Sequence, residues 1–192
     1  LVQTMQTLTT EVKSDWDNGF RETYISNTSS SASGAVDQTV NAFLFYYEKA
    51  LRAGKVGIPA GVFSGSPLPQ NVEALYSQEN SKQLLENALT GTQNFFNGSG
   101  VTGTNGTSLK AYLDALNAVK NESDLSSLIN AQFEMAQGKI TGLQTNFVAQ
   151  IESDNSKMLE TYDELQRNVI LMKVDMLQAL SIDINYVDAD GD

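Results

Sequence analysis

The last five residues of the sequence contain its densest run of potential metal ligands. They read Asp188-Ala-Asp-Gly-Asp192. Alternating carboxylates place oxygens on one side of a turn, and hard cations such as Ca²⁺ bind several oxygen ligands. These residues do not include the distant bidentate Glu that a complete calcium loop needs. We therefore predict Asp188, Asp190 and Asp192 as metal ligands, with a polar or partly frayed C-terminal segment as the alternative.

One further acid, Asp183, adds to the negative charge near this end of the sequence. A site made only of carboxylates suits Ca²⁺, Mg²⁺, Mn²⁺ or ferric iron better than zinc, because hard cations prefer oxygen ligands. The expected cofactor is therefore a hard cation, calcium or iron. The alternative is a solvated acidic face that binds no metal.

Four more carboxylates lie on the last predicted helix, at Glu160, Asp163, Glu164 and Asp175. Asp175 lies beside the apolar line of that helix, where a buried carboxylate needs a partner because an unpaired buried charge is costly. We expect a structural ion pair with a basic residue of a neighbouring helix. Two carboxylates could also perform acid–base catalysis, but the spacing singles out no pair.

The composition excludes several kinds of chemistry. The 192 residues include no histidine and no cysteine. Ser–His catalysis, imidazole bases, thiol chemistry and the usual zinc ligand sets are therefore excluded within this sequence. The formal net charge is −11, which disfavours nucleic acid as a partner because an acidic surface repels phosphates. No run approaches the roughly 20 apolar residues of a membrane-spanning helix, so we expect no transmembrane segment.

Apolar residues spaced three or four apart predict the helices that must position these groups. Trp16 lies on the apolar line of the first helix, so we expect it to pack in the core. Gly54 is the expected C-terminal cap of the second helix, ahead of a proline-containing connection over 56–69. The predicted helices span residues 1–25, 35–53, 81–97, 108–119, 125–151 and 158–179.

The last two helices have the clearest periodicity. The polar residues 154–156 separate them, which predicts an antiparallel hairpin. A helix that continues through this polar break is the alternative. For residues 1–192 as one domain we expect an all-α fold, an antiparallel up-and-down bundle of about four main helices with short accessory helices. Residues 182–192 are expected to form an extended acidic tail.

Three stretches, taken in order, resemble the imelysin family. Residues 51–61 and 72–77 are similar to its Lys-x-Gly-x-Pro loop and the Glu–aromatic–Ser segment that follows. Residues 80–98 resemble its helix that ends in an aromatic–Asn/Glu–Gly step. Residues 174–192 look like its C-terminal ending, Asp-x-Asp-Gly-Asp. The resemblance covers nearly the whole sequence but only the second half of a family member.

The resemblance implies one bundle of a two-bundle protein of the bacterial cell envelope, in the periplasm or as a lipoprotein on the outer membrane. It implies a non-catalytic binding protein that takes part in the uptake of iron or another metal or haem. Its partners would be the N-terminal half of the same protein and an outer-membrane receptor complex.

Two alternatives follow from the same resemblance. The family has been filed with the peptidases, so the first alternative is a metallopeptidase whose His/Glu metal site lies in the N-terminal half. The second alternative is a structural subunit of an outer-membrane transport complex. The family's Gly-x-His-x-x-Glu motif cannot be placed on any residue here, because the sequence has no histidine.

Overall fold

The computed structural model describes residues 1–187, which form a bundle of α-helices. The all-α class predicted from the sequence is confirmed. The α-helices of residues 1–187 are α1 Val2–Asp15, α2 Arg21–Ser26, α3 Ala35–Phe45, α4 Ile58–Ala60, α5 Ser81–Asn97, α6 Leu109–Ala115, α7 Leu125–Thr141, α8 Phe147–Asp154, α9 Ser156–Ile170 and α10 Leu177–Leu180.

Shorter elements connect these helices. Segments of wider, π-helical winding follow α3 and α9 without a loop, at Tyr46–Gly57 and Leu171–Met176. A kinked segment, Trp16–Phe20, joins α1 to α2. Single turns of 3₁₀-helix lie at Pro69–Asn71 and Gln78–Asn80. A two-stranded antiparallel ladder pairs β1 (Val119–Lys120) with β2 (Ser123–Asp124).

The main helices pack in an up-and-down order. Gln132 of α7 donates to Glu164 of α9. Further along α7, Lys139 donates to Glu160, which lies earlier in α9, so these two helices are antiparallel. The same reversed order of contacts relates α5 to α7, and the segment Tyr46–Gly57 to α9.

Aromatic rings occupy the centre of the core. Phe133 of α7 is fully buried, and its ring meets Tyr47 edge-on at 5.8 Å between centroids. On its other side it meets Phe96 of α5 at 6.2 Å. Such tilted and edge-to-face pairs add to the stabilisation that apolar burial provides. The Phe133 ring therefore links α7 to α5 and to the segment Tyr46–Gly57.

The second helix does not end at Gly54, so that prediction is wrong. The helix continues through the segment Tyr46–Gly57 into α4 and ends at Gly61, which has a φ of 84°. Pro59 lies in this last part of the helix, two residues before the cap. A Cβ atom on Gly61 would lie 2.2 Å from the carbonyl oxygen of Ser66. Glycine is therefore required at this cap.

The predicted hairpin over 154–156 is also wrong. Only Asn155 separates α8 from α9, and the chain instead turns between α7 and α8. The Asn146 side chain accepts a hydrogen bond from Ala149 N at 3.1 Å and so caps α8. Leu143 and Phe147 stay buried on either side of the turn. The apolar spacing therefore continues across a break in the helix.

Residues 1–26 are helical as predicted but do not pack in the core. The helix is kinked at Asn18 and Gly19, whose dihedral angles are not helical. Trp16 is 38% exposed, so the prediction of core packing is wrong. Every residue from 1 to 26 is exposed except Tyr24, which is half-buried.

Candidate functional site

The predicted metal ligands Asp188, Asp190 and Asp192 lie outside the described residues. Asp183 is exposed, and its backbone carbonyl accepts a hydrogen bond from Asn41 Nδ2 at 3.1 Å. Within residues 1–187, no three His, Cys, Asp or Glu side chains are grouped so that they could hold a metal ion.

The expected ion pair of Asp175 is confirmed. Lys120 Nζ lies 2.5 Å from Asp175 Oδ2. The base comes from β1 and not from a neighbouring helix. Asp175 is thereby held at the junction between the β-ladder and the last helical segment.

The other three carboxylates, Glu160, Asp163 and Glu164, lie on α9. Asp163 is exposed, and Glu160 and Glu164 have separate partners. Glu160 accepts a hydrogen bond from Lys139 at 2.9 Å and raises the pKa of that lysine. Glu164 accepts from Arg167 at 2.5 Å and from Gln132 at 2.8 Å. Glu160 and Glu164 each have basic or amide partners that make them structural groups, and nothing pairs them for acid–base work.

A cluster of buried charges lies where two π-helical segments face each other. Glu48 and Arg52 are both on the segment Tyr46–Gly57, and each is only 1% exposed. Arg52 Nη2 lies 3.6 Å from Glu48 Oε1. Lys173, from the segment Leu171–Met176, places its Nζ 3.3 Å from Glu48 Oε2. Wider helical turns occur frequently at functional sites, which makes this cluster a candidate.

Tyrosines surround the cluster. Arg52 Nη1 donates to the Tyr162 hydroxyl at 2.7 Å and also to Gln166, and its guanidinium lies 5.2 Å from the centroid of the Tyr162 ring. Tyr47 donates to the carbonyl of Leu165 at 3.1 Å. Burial raises the pKa of Tyr47 well above its ordinary value. Tyr47 is therefore a protonated hydrogen-bond donor.

The end of the described chain covers this cluster. Asn185 N donates to Asn41 Oδ1 at 3.0 Å, which fixes the segment over 182–187 against α3. The Tyr186 hydroxyl then donates to Glu48 Oε2 at 2.9 Å. The Tyr186 ring packs edge-on against Phe45 at 5.5 Å between centroids.

These contacts show what the cluster can do. Glu48 already receives a hydroxyl and faces two cations, so its oxygens are engaged within the protein. We interpret the cluster, which we name the Glu48 cluster, as the anchor of the C-terminal segment. Sequence reasoning missed it, although Glu48 and Arg52 lie four residues apart inside a helix whose apolar stripe is unusually wide.

A second candidate is an exposed row of apolar side chains on residues 1–26, which we name the apolar stripe. Two of its members, Trp16 and Phe20, form a cluster of tilted rings with Tyr24, and the ring centroids are 5.7 to 6.1 Å apart. The members of the apolar stripe and their exposed fractions are Met5 59%, Leu8 56%, Val12 70%, Trp16 38% and Phe20 55%.

Tyr24, which contacts Trp16 and Phe20 of the apolar stripe, also lines a groove of about 690 Å³ between α3 and α5, which we name the α3–α5 groove. All of its lining residues are uncharged. Phe43 and Phe95 stack across it at 5.4 Å between ring centroids. At one end, the Tyr24 hydroxyl donates to the carbonyl of Ala35 at 2.9 Å and also bonds to Thr39. Burial raises the pKa of Tyr24.

The all-α bundle is the class of fold that the resemblance to the imelysin family implies. The sequence model of the imelysin family, which is filed with the peptidases, matches residues 1–170. The chain therefore belongs to the imelysin family. No curated protein and no solved structure matches this chain. None of the helices in residues 1–187 is long and apolar enough to cross a membrane.

Proposed function

We propose that this chain is a non-catalytic binding domain of an imelysin-type cell-envelope protein, which takes part in the uptake of iron or of another metal or haem. One observation supports it most: the apolar stripe is exposed, and Tyr24, which contacts Trp16 and Phe20, joins it to the α3–α5 groove, whose lining residues are uncharged. Proteins in water rarely expose contiguous apolar patches of this kind unless the patch binds a partner.

The chemistry of the described residues favours binding over catalysis. Glu48, the most deeply buried carboxylate, is engaged by Lys173 and Tyr186. The sequence has no histidine or cysteine to bind zinc or to act as a nucleophile pair. A peptidase centre would therefore have to take its ligands from another polypeptide segment.

For the cation we propose the acidic residues Asp188, Asp190 and Asp192, with calcium or ferric iron as the ligand. The test is calorimetric titration of Ca²⁺ and of ferric citrate into the wild-type chain and into a variant with all three residues changed to Asn. The control variant removes the same charge from three exposed acids that make no side-chain hydrogen bond in the structure: Asp15, Glu152 and Asp163. Binding that survives in the first variant, or is lost equally in both, would rule out this site.

For the partners we propose the N-terminal half of the same protein and an outer-membrane receptor complex, in the periplasm or at the outer-membrane surface, where a lipid anchor would hold the whole protein. The test is purification of the protein from its source, followed by intact mass and N-terminal sequencing. A segment with the Gly-x-His-x-x-Glu motif in the same assembly supports the proposal.

The same preparation separates the three functions. A binding protein retains metal or haem and cleaves no substrate. A metallopeptidase cleaves protein substrates, and a chelator abolishes the cleavage. A structural subunit does neither but stays bound to its receptor.

A further inference from the structure

We propose that the exposed apolar surface binds a second copy of this chain, with the apolar stripe on α1 and the segment Trp16–Phe20 of each copy lying in the α3–α5 groove of the other. This inference rests on the proposed function in one respect: it names a partner for the same surface. It requires only residues that the structure describes, and it is independent of the cation and of the N-terminal half.

The donor side of the contact is α1. This helix has 14 residues and none of them is buried. An isolated helix of about this length is marginal in water, because nucleation is costly and propagation adds little per residue. The helical form of α1 therefore gains from a partner that covers the apolar stripe.

The acceptor side is the α3–α5 groove. Its own chain supplies only Tyr24 from residues 1–26, and none of its lining residues belongs to α1. Within the apolar stripe, Gly19 has a φ of 127° and interrupts the helix just before Phe20. A helix from another molecule can therefore enter a groove that α1 of the same chain leaves open.

The available area is sufficient for a dimer. At about 150–250 Å² for a large side chain, the exposed fractions of the five residues of the apolar stripe correspond to roughly 400–700 Å² in each copy. Two stripes would thus bury roughly 800–1,400 Å², to which the facing groove surfaces add, and stable interfaces bury about 1,200–2,000 Å² in total. Because each copy offers both a helix and a groove, two copies that exchange helices reciprocally form a closed two-fold pair.

The charges of residues 1–26 disfavour a lipid surface as the occupant. This segment has four acids and two bases. Helices that lie on membranes are rich in Lys and Arg on their polar face, because the lipid surface is negative. An uncharged protein groove imposes no such requirement.

The first test is the oligomeric state of the chain, measured by sedimentation velocity over a range of concentrations. Met5 and Met135 offer a matched pair, since both lie on α-helices and are 59% and 55% exposed. We expect the wild type to dimerise and Met5→Asp to weaken the dimer at least about tenfold, because an unpaired charge would be buried. Met135→Asp should leave it unchanged.

A second variant blocks the groove without harming the fold. Gly91 of α5 lines the groove, and a Cβ atom there would meet nothing within 4 Å. Gly91→Leu should fold at least as well as the wild type, because leucine favours a helix more than glycine does, and its side chain should occupy the groove. We expect a folded monomer by circular dichroism and sedimentation.

Trp16 provides an independent reading, because it is the only tryptophan and lies in the apolar stripe. Its emission should shift to the blue as the wild type dimerises and should stay unshifted in Gly91→Leu. Raising the salt concentration should strengthen the dimer, since each copy has a net charge of −11.

Three results would overturn the inference. They are a wild-type monomer at every concentration, a dimer that Met5→Asp and Gly91→Leu leave unaffected, or a blue shift of Trp16 that requires phosphatidylcholine–phosphatidylglycerol vesicles. None of these results tests metal or haem retention. Conversely, a dimer that meets all the expectations above would stand even if the purified protein retained neither metal nor haem.

Discussion

The Glu48→Gln variant tests whether the Glu48 cluster stabilises the fold. Glutamine keeps the shape of the side chain but removes its negative charge. Lys173 Nζ and Arg52 Nη2 lie 3.3 and 3.6 Å from the carboxylate oxygens, so two cations would each lose a carboxylate partner inside the bundle. The Tyr186 hydroxyl, which donates to Glu48 at 2.9 Å, would face an amide in place of an anion.

The expected loss follows from the burial of these groups. Removing one partner of a buried ion pair costs about 3–5 kcal/mol, because the remaining charge stays desolvated. A domain is stable by only about 5–15 kcal/mol, so the loss is a large share of the total. With a urea dependence of about 2 kcal/mol per molar, the unfolding midpoint should fall by roughly 1.5–2.5 M.

The assay is urea unfolding followed by far-ultraviolet circular dichroism. Tryptophan fluorescence is unsuitable, because Trp16 lies outside the core and is already 38% exposed. The control is Glu160→Gln. The Glu160 carboxylate also pairs with a lysine, since it lies 2.9 Å from Lys139 Nζ, but the Glu160 side chain is 57% exposed. Exposed pairs contribute about 0–1 kcal/mol, so the control should change the midpoint little.

A double-mutant cycle with Tyr186→Phe then tests the anchoring role. If Tyr186 is held through Glu48, the two changes should be coupled by about 1 kcal/mol or more. The interpretation is refuted if Glu48→Gln is within about 0.5 kcal/mol of Glu160→Gln, which is the spread expected of ordinary surface changes.

Three further predictions concern single residues elsewhere. Gly61→Ala should lower the free energy of unfolding by at least about 1–3 kcal/mol in a thermal melt, since φ is 84° and a backbone oxygen lies 2.2 Å from the added Cβ. The control Gly138→Ala, whose Cβ would meet nothing within 4 Å, should raise that free energy by about 0.5–1 kcal/mol. Lys110→Met should raise the pKa of Asp114 in an NMR titration, because the hydrogen bond from Lys110 is the main cause of its lowered value. The stabilisation from Asp114 is present above its unfolded pKa of about 3.9 and is lost as the pH falls through its lower folded pKa, so the two proteins should converge in acid. Tyr24→Phe should speed hydrogen exchange in residues 1–26 and change the global free energy of unfolding by no more than about 2 kcal/mol, because two partly buried hydrogen bonds, to Ala35 and Thr39, are lost. Unchanged exchange would contradict this.

The positions of the helices could be predicted because apolar spacing is a local property of the sequence. The periods over 81–97 and 158–179 correspond to helical segments in the structure, and Ser108 caps α6 through a hydrogen bond from Ala111 N at 3.1 Å. The fold class followed from the same pattern. The family also followed from short segments whose order and spacing the printed sequence shows directly.

The breaks in the helices could not be predicted in the same way. Leu143 and Phe147 are buried on both sides of a turn, so their spacing fits a continuous helix equally well. Gly54 has the residue type of a cap, yet the winding widens there and the helix ends only at Gly61. The side chain of Asn146 caps the start of α8, and the left-handed turn at Gly61 ends the second helix.

The sequence by itself determined which side chains form apolar faces, and it excluded histidine and cysteine chemistry throughout. Only the tertiary structure decided which faces are covered. Trp16 and Phe133 have the same kind of periodic neighbours, yet one is 38% exposed and the other fully buried. Lys173 and Tyr186 both contact Glu48, although they lie far from it in the sequence. Periodicity in the sequence shows that a helix has an apolar face, whereas the burial of that face depends on which other helices pack against it.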